Sequence, residues 1–300
     1  MTTIYHKPVL LQQAVAALAI VPNGVYVDAT FGGGGHSQEI LRQLDASGKL
    51  IGFDQDPEAA NNVIADNRFT FIGVNFRHLK AYLQFKKIDS AQGVLADFGV
   101  SSHQFDNGHR GFSIRYDGPL DMRMNPSQSL TAAEIINQYS ETELGRIFYD
   151  YGEISRARKI AAQIVRERES SPFETTYQLK EFLARYTPKR YQNKFLSQCF
   201  QAIRIEVNGE LEALKTFLEQ AVSILTPGGR LVCISYHSLE DRLVKRFMQQ
   251  GNFEGIEHKD FYGNNLAPLK RIGKIVFPDQ HEIETNNRAR SAKMRIAEKK

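Results

Sequence analysis

The chain has 300 residues, 42% hydrophobic and 24% charged, ordinary proportions for a globular protein and enough length for one large or two modest domains. Its formal net charge of +4 is mild but uneven: residues 286–300 net +5 and the remainder −1, so only the tail suggests a polyanionic partner, a solvated end being the alternative. Cys199 and Cys233 stand in apolar contexts without CxxC spacing, which excludes a disulfide framework or a cysteine zinc site and points to a reducing compartment.

The first eight residues lack a charged segment followed by a long apolar one, and no run approaches the ~20 apolar residues of a membrane span. A cytoplasmic protein without membrane association is expected, and no metal. Residues 9–20 read as an amphipathic helix leading to the turn Pro22-Asn23-Gly24.

Val25-Tyr-Val-Asp-Ala-Thr-Phe-Gly-Gly-Gly-Gly-His36 follows, a buried-strand pattern giving way to four glycines, and Ser37–Leu44 continues at helical spacing. Strand, glycine turn and helix form a cradle for a nucleotide cofactor. The dinucleotide pattern GxGxxG fails in both registers, its last position falling on Ser37 or Gln38, and a phosphate loop needs Lys-Ser/Thr where His36-Ser37 stands. What remains is the S-adenosylmethionine turn of class I methyltransferases, with Asp28 at the strand end, or a purely structural tight turn.

Lys49-Leu-Ile-Gly-Phe-Asp54 is a second strand ending in an acid, 19 residues after Gly35. That is close to the ~20-residue offset at which a carboxylate accepts ribose hydroxyls. Asp54 as a mere helix cap is the alternative, but Asp56, immediately before Pro57, fits that task better. A helix from Pro57, a strand at 69–73, a helix over 76–87 and a strand at 93–98 complete a βαβ rhythm, predicting an open α/β sheet with ligands beyond the strands' carboxyl ends.

The rhythm then changes. A Gly- and Arg-rich loop at 109–124 leads into helical patterns near 131–139, 141–149, 155–169 and 176–186, with loops at 170–172 and 187–190. Residues 106–206 read as an inserted helical subdomain, leaving 1–105 and 207–300 as a discontinuous α/β domain. The apolar face Leu211–Leu225 resumes that domain, and Leu225-Thr-Pro-Gly-Gly-Arg-Leu231 turns into a strand at 231–235, the punctuation before the fifth strand of class I methyltransferases. Stretches 273–277 and 291–297 are expected to be the last strands, the final one antiparallel.

Several stretches together resemble the bacterial MraW (RsmH) family, S-adenosylmethionine-dependent cytosine-N4 methyltransferases of 16S ribosomal RNA in the small subunit. They are His6-Lys-Pro-Val-Leu-Leu11, Asp28-Ala-Thr-Phe-Gly-Gly-Gly-Gly-His-Ser37, Asp97-Phe-Gly-Val-Ser-Ser102, Arg110-Gly-Phe-Ser113, Asp117-Gly-Pro-Leu-Asp-Met-Arg-Met124, Tyr151-Gly-Glu153, Phe200-Gln-Ala-Ile-Arg-Ile-Glu-Val-Asn208, Ser235-Tyr-His-Ser-Leu-Glu-Asp-Arg-Leu-Val-Lys-Arg-Phe247 and Asn287-Arg-Ala-Arg-Ser-Ala292. The resemblance implies a Rossmann-like class I methyltransferase fold with an inserted RNA-recognition subdomain. It places cofactor contacts on Gly34, Gly35, His36, Asp54, Phe76, Asp97 and Gln104; for Phe76, core packing is the alternative reading. This chain departs from the family at Asn193-Lys-Phe-Leu-Ser-Gln-Cys-Phe200, where many relatives carry a His-Pro-Ala-Thr-Arg-type loop.

Methyl transfer to a cytosine amine asks for an acceptor of the N4 proton. Asp97 and His237, both at strand ends, and Asp121 in the inserted loop are the candidates, with a structural hydrogen bond as the other reading of His237. The tetrapeptide common in amino-methyltransferases is replaced by Asp97-Phe-Gly-Val100. Arg288 and Arg290 in the tail, and Lys189 and Arg190 beside Lys194, Tyr186 and Tyr191, are candidate RNA contacts. A nicotinamide-dependent oxidoreductase lacks its glycine spacing here; a small-molecule methyltransferase and a non-catalytic assembly factor that binds the cofactor remain alternatives, and monomer or homodimer stays open.

Overall fold

The computed structural model describes residues 8–300, so His6, Lys7 and the five residues before them lie outside the described residues. The chain divides into two compact units, one formed by the residues up to Gly99 with Leu211–Lys300, the other by Val100–Glu210. The sequence placed the junctions at 105/106 and 206/207, a few residues inside these limits.

In the first unit α1 (Leu11–Ala17) leads to β1 (Val25–Asp28), α2 (Gly35–Gln43), β2 (Lys49–Phe53), β3 (Phe69–Ile72), α3 (Leu79–Phe85) and β4 (Ala91–Asp97). The stretch after Pro57 is a 3₁₀ turn capped by Asp56, whose carboxylate accepts from the amide of Glu58. Strands β1 to β4 pair in parallel and are buried along most of their length, so they read as continuous apolar runs rather than alternating ones.

The second unit is helical: α4 (Ser102–Asp106), α5 (Ala132–Gln138), α6 (Glu141–Asp150), α7 (Ala157–Ser170), α8 (Thr176–Ala184) and α9 (Gln192–Asn208). The segment 193–200, where many relatives carry a loop, is the first half of α9. Leu196, Cys199, Phe200 and Ile203 fall on its buried face at helical spacing, while Asn193, Lys194 and Ser197 are exposed. Asn208 ends that helix and pins the Gly- and Arg-rich loop: Oδ1 accepts from the amide of Met124 at 2.7 Å and Nδ2 donates to the carbonyl of Met122 at 2.8 Å. Arg110, also buried, donates to the carbonyls of Arg123 and Met124.

The chain then runs through α10 (Glu210–Ile224), β5 (Leu225–Ser235), α11 (Ser238–Gln250), β6 (Leu269–Arg271), α12 (Gln280–Thr285) and β7 (Lys293–Lys299). The Pro-Gly-Gly segment belongs to β5 itself, which begins against Ala91 and shifts register before Gly93. The sheet order is β3-β2-β1-β4-β5-β7-β6 with β7 antiparallel to both neighbours, the class I methyltransferase arrangement expected. The expected strand at 273–277 is absent; Val276 makes only an isolated bridge to Met294, and the edge strand lies at 269–271.

Asn208→Ala removes two buried bonds to the loop, those with the amide of Met124 and the carbonyl of Met122. It should lower unfolding free energy by about 2 kcal/mol in a denaturant titration, and a loss below about 0.5 kcal/mol would show that the loop is held elsewhere.

Candidate active site

Register sets the positions of the acids. Asp28 in β1 lies opposite Gly52 in β2 and Leu95 in β4, so Asp54 and Asp97 both stand two residues beyond its row, on either side of β1. Two strand spacings separate their backbones by about 10 Å, at the carboxyl edge where open α/β sheets take ligands.

Between them the chain turns through the glycines. Asp28 is fully buried: Oδ2 accepts from the hydroxyl of Ser37 at 2.7 Å and Oδ1 from the amide of Thr30 at 3.1 Å, tying the strand end to the first turn of α2. Burial raises the Asp28 carboxyl and lowers the neighbouring His36 imidazole from their ordinary values. His36 Nε2 lies 3.2 Å from the carbonyl of Val9 and the ring is buried. What His36 turns toward the helix end is therefore its backbone amide, not its imidazole.

Gly34 caps α2 at φ 75°, in the left-handed region, and offers no side chain to the amides that follow. A Cβ on Gly34 would meet the Phe31 ring at 3.0 Å, and one on Gly35 would run into Pro8. A Cβ on Gly32, at φ 50°, would meet the Thr30 carbonyl oxygen at 3.9 Å, an ordinary contact. Those bare first-turn amides at the positive end of the helix dipole suit a ligand carboxylate.

Both oxygens of Asp54 accept backbone amides, Oδ2 that of Gly32 at 2.7 Å and Oδ1 that of Asp56 at 2.9 Å. The carboxylate is thus aimed by the glycine turn and keeps further lone pairs for a diol. Burial pushes its pKa up to about 6 against those hydrogen bonds. Phe76 packs edge-on with Phe98 and Phe217, centroids 6.0 and 5.2 Å away, and is only partly buried, so core packing and an apolar surface for a ligand coexist in one ring.

Asp97 is placed by its own amide, which donates to Thr30 Oγ1 at 2.7 Å, and its Oδ1 accepts from the hydroxyl of Tyr236 at 2.8 Å. Burial, with Asp28, Glu240 and Glu282 adding repulsion, pushes its pKa up to about 8 despite the tyrosine bond. Tyr236 was not among the residues singled out from the sequence. Its signal is position: it directly follows β5, two residues past Ile234, the residue that pairs with Asp97.

A topology of this order, a glycine turn without dinucleotide spacing and an acid at the carboxyl end of each of β2 and β4 leave a methyltransferase site. The MraW methylase family matches residues 3–300. The chain belongs to that family. Relatives named ribosomal RNA small subunit methyltransferase H include one from Flavobacterium johnsoniae, 56% identical over 99% of each chain. One from Cytophaga hutchinsonii is 54% identical over 99% of this chain and 100% of its own, and one from Bacteroides fragilis is 51% identical over 99% and 98%.

Other residues picked from the MraW motifs are held locally. His237 is the N-cap of α11: Nδ1 accepts from the amide of Glu240 at 3.4 Å, and Nε2 lies 3.1 Å from Glu240 Oε1. Asp121 is gripped by Arg123, whose Nε and Nη2 approach it at 3.0 and 2.7 Å and whose amide adds a third bond. The Gln104 Oε1 accepts from the amide of Ser101 in a capping box at the start of α4. Asp121 and Gln104 belong to the helical unit, as do Lys189 and Arg190, both exposed, with the Arg190 guanidinium 4.6 Å from the Tyr191 ring centroid. Arg288 is half-buried and Arg290 exposed in the 3₁₀ turn Asn287–Ser291. Among the described residues no helix is long and apolar enough to cross a membrane.

Gly34→Ala forces a Cβ into the left-handed region and against Phe31. It should cost about 1–2 kcal/mol of stability by thermal or denaturant unfolding, and an unchanged midpoint would mean that the turn relaxes freely.

Proposed function

We propose that the chain transfers a methyl group from S-adenosylmethionine to the N4 amine of a cytidine in 16S ribosomal RNA of the small subunit, in the cytoplasm. Membership of the MraW family, with relatives over 50% identical across nearly their whole length, carries this reading. The amides of Gly35 and His36 would hold the methionine carboxylate, with Gly34, whose own amide donates to the Phe31 carbonyl at 2.8 Å, shaping the turn beside it, Asp54 the ribose hydroxyls, and Phe76 an adenine face. Gln104 and Asp121 enter on the resemblance alone, and Lys189, Arg190, Arg288 and Arg290 are the proposed phosphate contacts.

The cofactor supplies an electrophilic methyl on a cationic sulfur; the protein's part is to bring the amine into line and take its proton. The N4 lone pair is delocalised into the cytosine ring, so an acceptor on an N4–H favours attack. Asp97 is the proposed acceptor. At pH 7 its raised pKa leaves it largely protonated in the free protein, but a cation beside it favours the ionised form, so the acceptor becomes competent as the cationic cofactor binds. Tyr236 positions that carboxylate. His237 ranks behind Asp97 because its Nδ1 caps its own helix and its Nε2 lies against the Glu240 carboxylate.

The sign of the linkage can be checked directly. Ionised Asp97 attracts a sulfonium, so affinity for S-adenosylmethionine should rise as pH increases through about 8, whereas neutral S-adenosylhomocysteine should respond much less. Calorimetric titrations of both between pH 6.5 and 9 decide it; parallel pH profiles would take Asp97 away from the sulfur.

Radiolabel transfer to small ribosomal subunits lacking the modification, beside naked rRNA and DNA and followed by nucleoside analysis, tests the function. The expected product is N4-methylated cytidine on rRNA. Cofactor binding with no transfer to any of the three would leave the small-molecule and assembly-factor readings.

A further inference from the structure

Phe261 and Tyr262 are 98% and 86% exposed at the tip of the connection between α11 and β6, in the sheet-bearing unit. The tip is held firmly. The Asp260 carboxylate accepts from the amides of Tyr262 and Asn264 at 2.8 and 2.9 Å and from the Asn264 side chain at 2.9 Å, and its backbone amide donates to the carbonyl of Asn264 at 3.0 Å. At the loop's start, Asn252 accepts from the amides of Gly255 and Ile256 and donates to the carbonyl of Ile256. The two rings meet edge to face, centroids 5.8 Å apart at 87°, so the pair leaves ring faces open to solvent. Two adjacent aromatic rings fixed in water mark an interaction site rather than a scattered surface residue.

The root of the loop is basic. Asn265 anchors it to the carbonyl of Gln249, and beside Gln249 lies a small pocket lined by Lys245, Arg271 and Lys274 with Met248 and Ile272. Among the described residues none of those three cations has an ion-pair partner, whereas Arg295 in the same lining is paired with Asp241 at 2.7 Å. Exposed aromatic faces at the tip of a loop whose root carries unpaired cations match single-stranded RNA, whose unpaired bases stack and whose phosphates need neutralising.

We propose that this loop is a second RNA contact, Phe261 and Tyr262 stacking on unpaired bases and Lys245, Arg271 and Lys274 holding the adjoining phosphates. It rests on the rRNA methyltransferase reading. A two-fold contact centred on the pocket would set Lys245, Arg271 and Lys274 against their own copies. An anionic lipid surface would suit the same groups, and the relatives' RNA chemistry favours RNA over it.

The test compares the full chain with Phe261→Ala/Tyr262→Ala and Arg271→Ala/Lys274→Ala. Probes are a labelled 20-nucleotide single-stranded RNA, its duplex, phosphatidylglycerol vesicles, and unmodified small subunits; cofactor affinity serves as the check on folding. The aromatic variant should bind single strands about tenfold more weakly at unchanged cofactor affinity, with restoration by Phe261→Trp/Tyr262→Trp. The cation variant should flatten the slope of log affinity against log salt by about 1.4, two contacts at ~0.7 each. Equal RNA affinity of wild type and aromatic variant, binding of vesicles in preference to RNA, or loss of a dimer on substitution would each overturn the contact. If the wild type methylates small subunits while the variants keep full RNA affinity, the contact alone falls. If the wild type neither binds RNA nor transfers methyl, the functional reading falls with it.

Discussion

The buried Asp28 carboxylate is the interaction on which the sheet-bearing unit's ligand edge depends. It sits at the end of the central strand, accepts from Ser37 in the first turn of α2 and from the amide of Thr30, and so closes strand, glycine turn and helix into one piece. Thr30 then passes the constraint to β4, because its hydroxyl accepts the amide of Asp97. The glycine turn passes it to β2, because the amide of Gly32 fixes the carboxylate of Asp54. Three acids on three neighbouring strands are held in fixed relation through backbone groups. Burying an acid without a cation is costly, and here the cost is offset by hydrogen bonds and by a raised pKa.

The central strands were legible because strands buried on both faces leave uninterrupted apolar runs, and β1 to β4 lie where those runs predict. The edge strand was not. Leu269-Lys-Arg271 is three residues long with two cations in solvent, so it carries no apolar signal, while the β-branched stretch after Gly273 looked more like a strand and pairs only through Val276. The first half of α9 was missed for a related reason. Asn193-Lys and Ser197-Gln read as loop polarity, but they are the outward face of a helix whose inward residues recur at 196, 199, 200 and 203.

At the site, residue types at strand ends were readable and their local engagements were not. Asp97 and His237 both follow buried strands and look equivalent in sequence. Only the three-dimensional arrangement separates them: His237 faces Glu240 within its own capping box, whereas Asp97 is held from behind by its amide and approached by one phenol. Asp121 looked available, yet an arginine two residues on encloses it, a pairing that depends on how the loop turns rather than on spacing. Tyr236 was invisible because an aromatic after a strand ordinarily means core.

The charge around Asp97 has a direction that bears on turnover. The groups that raise its pKa besides burial are all acids, Asp28, Glu240 and Glu282. A local field of that sign disfavours a further negative charge and favours a cation, so a positively charged cofactor is held more strongly than the same molecule with its charge removed. On the proposed reaction the cofactor would end without its positive charge, and Asp97 would take the proton released from the amine. Both changes weaken the attraction between cofactor and site, so the chemistry itself loosens the spent cofactor and the acid returns to its resting protonated form. A lysine or arginine at Tyr236 would offset part of that field, whereas the tyrosine orients the Asp97 carboxyl without adding a positive charge.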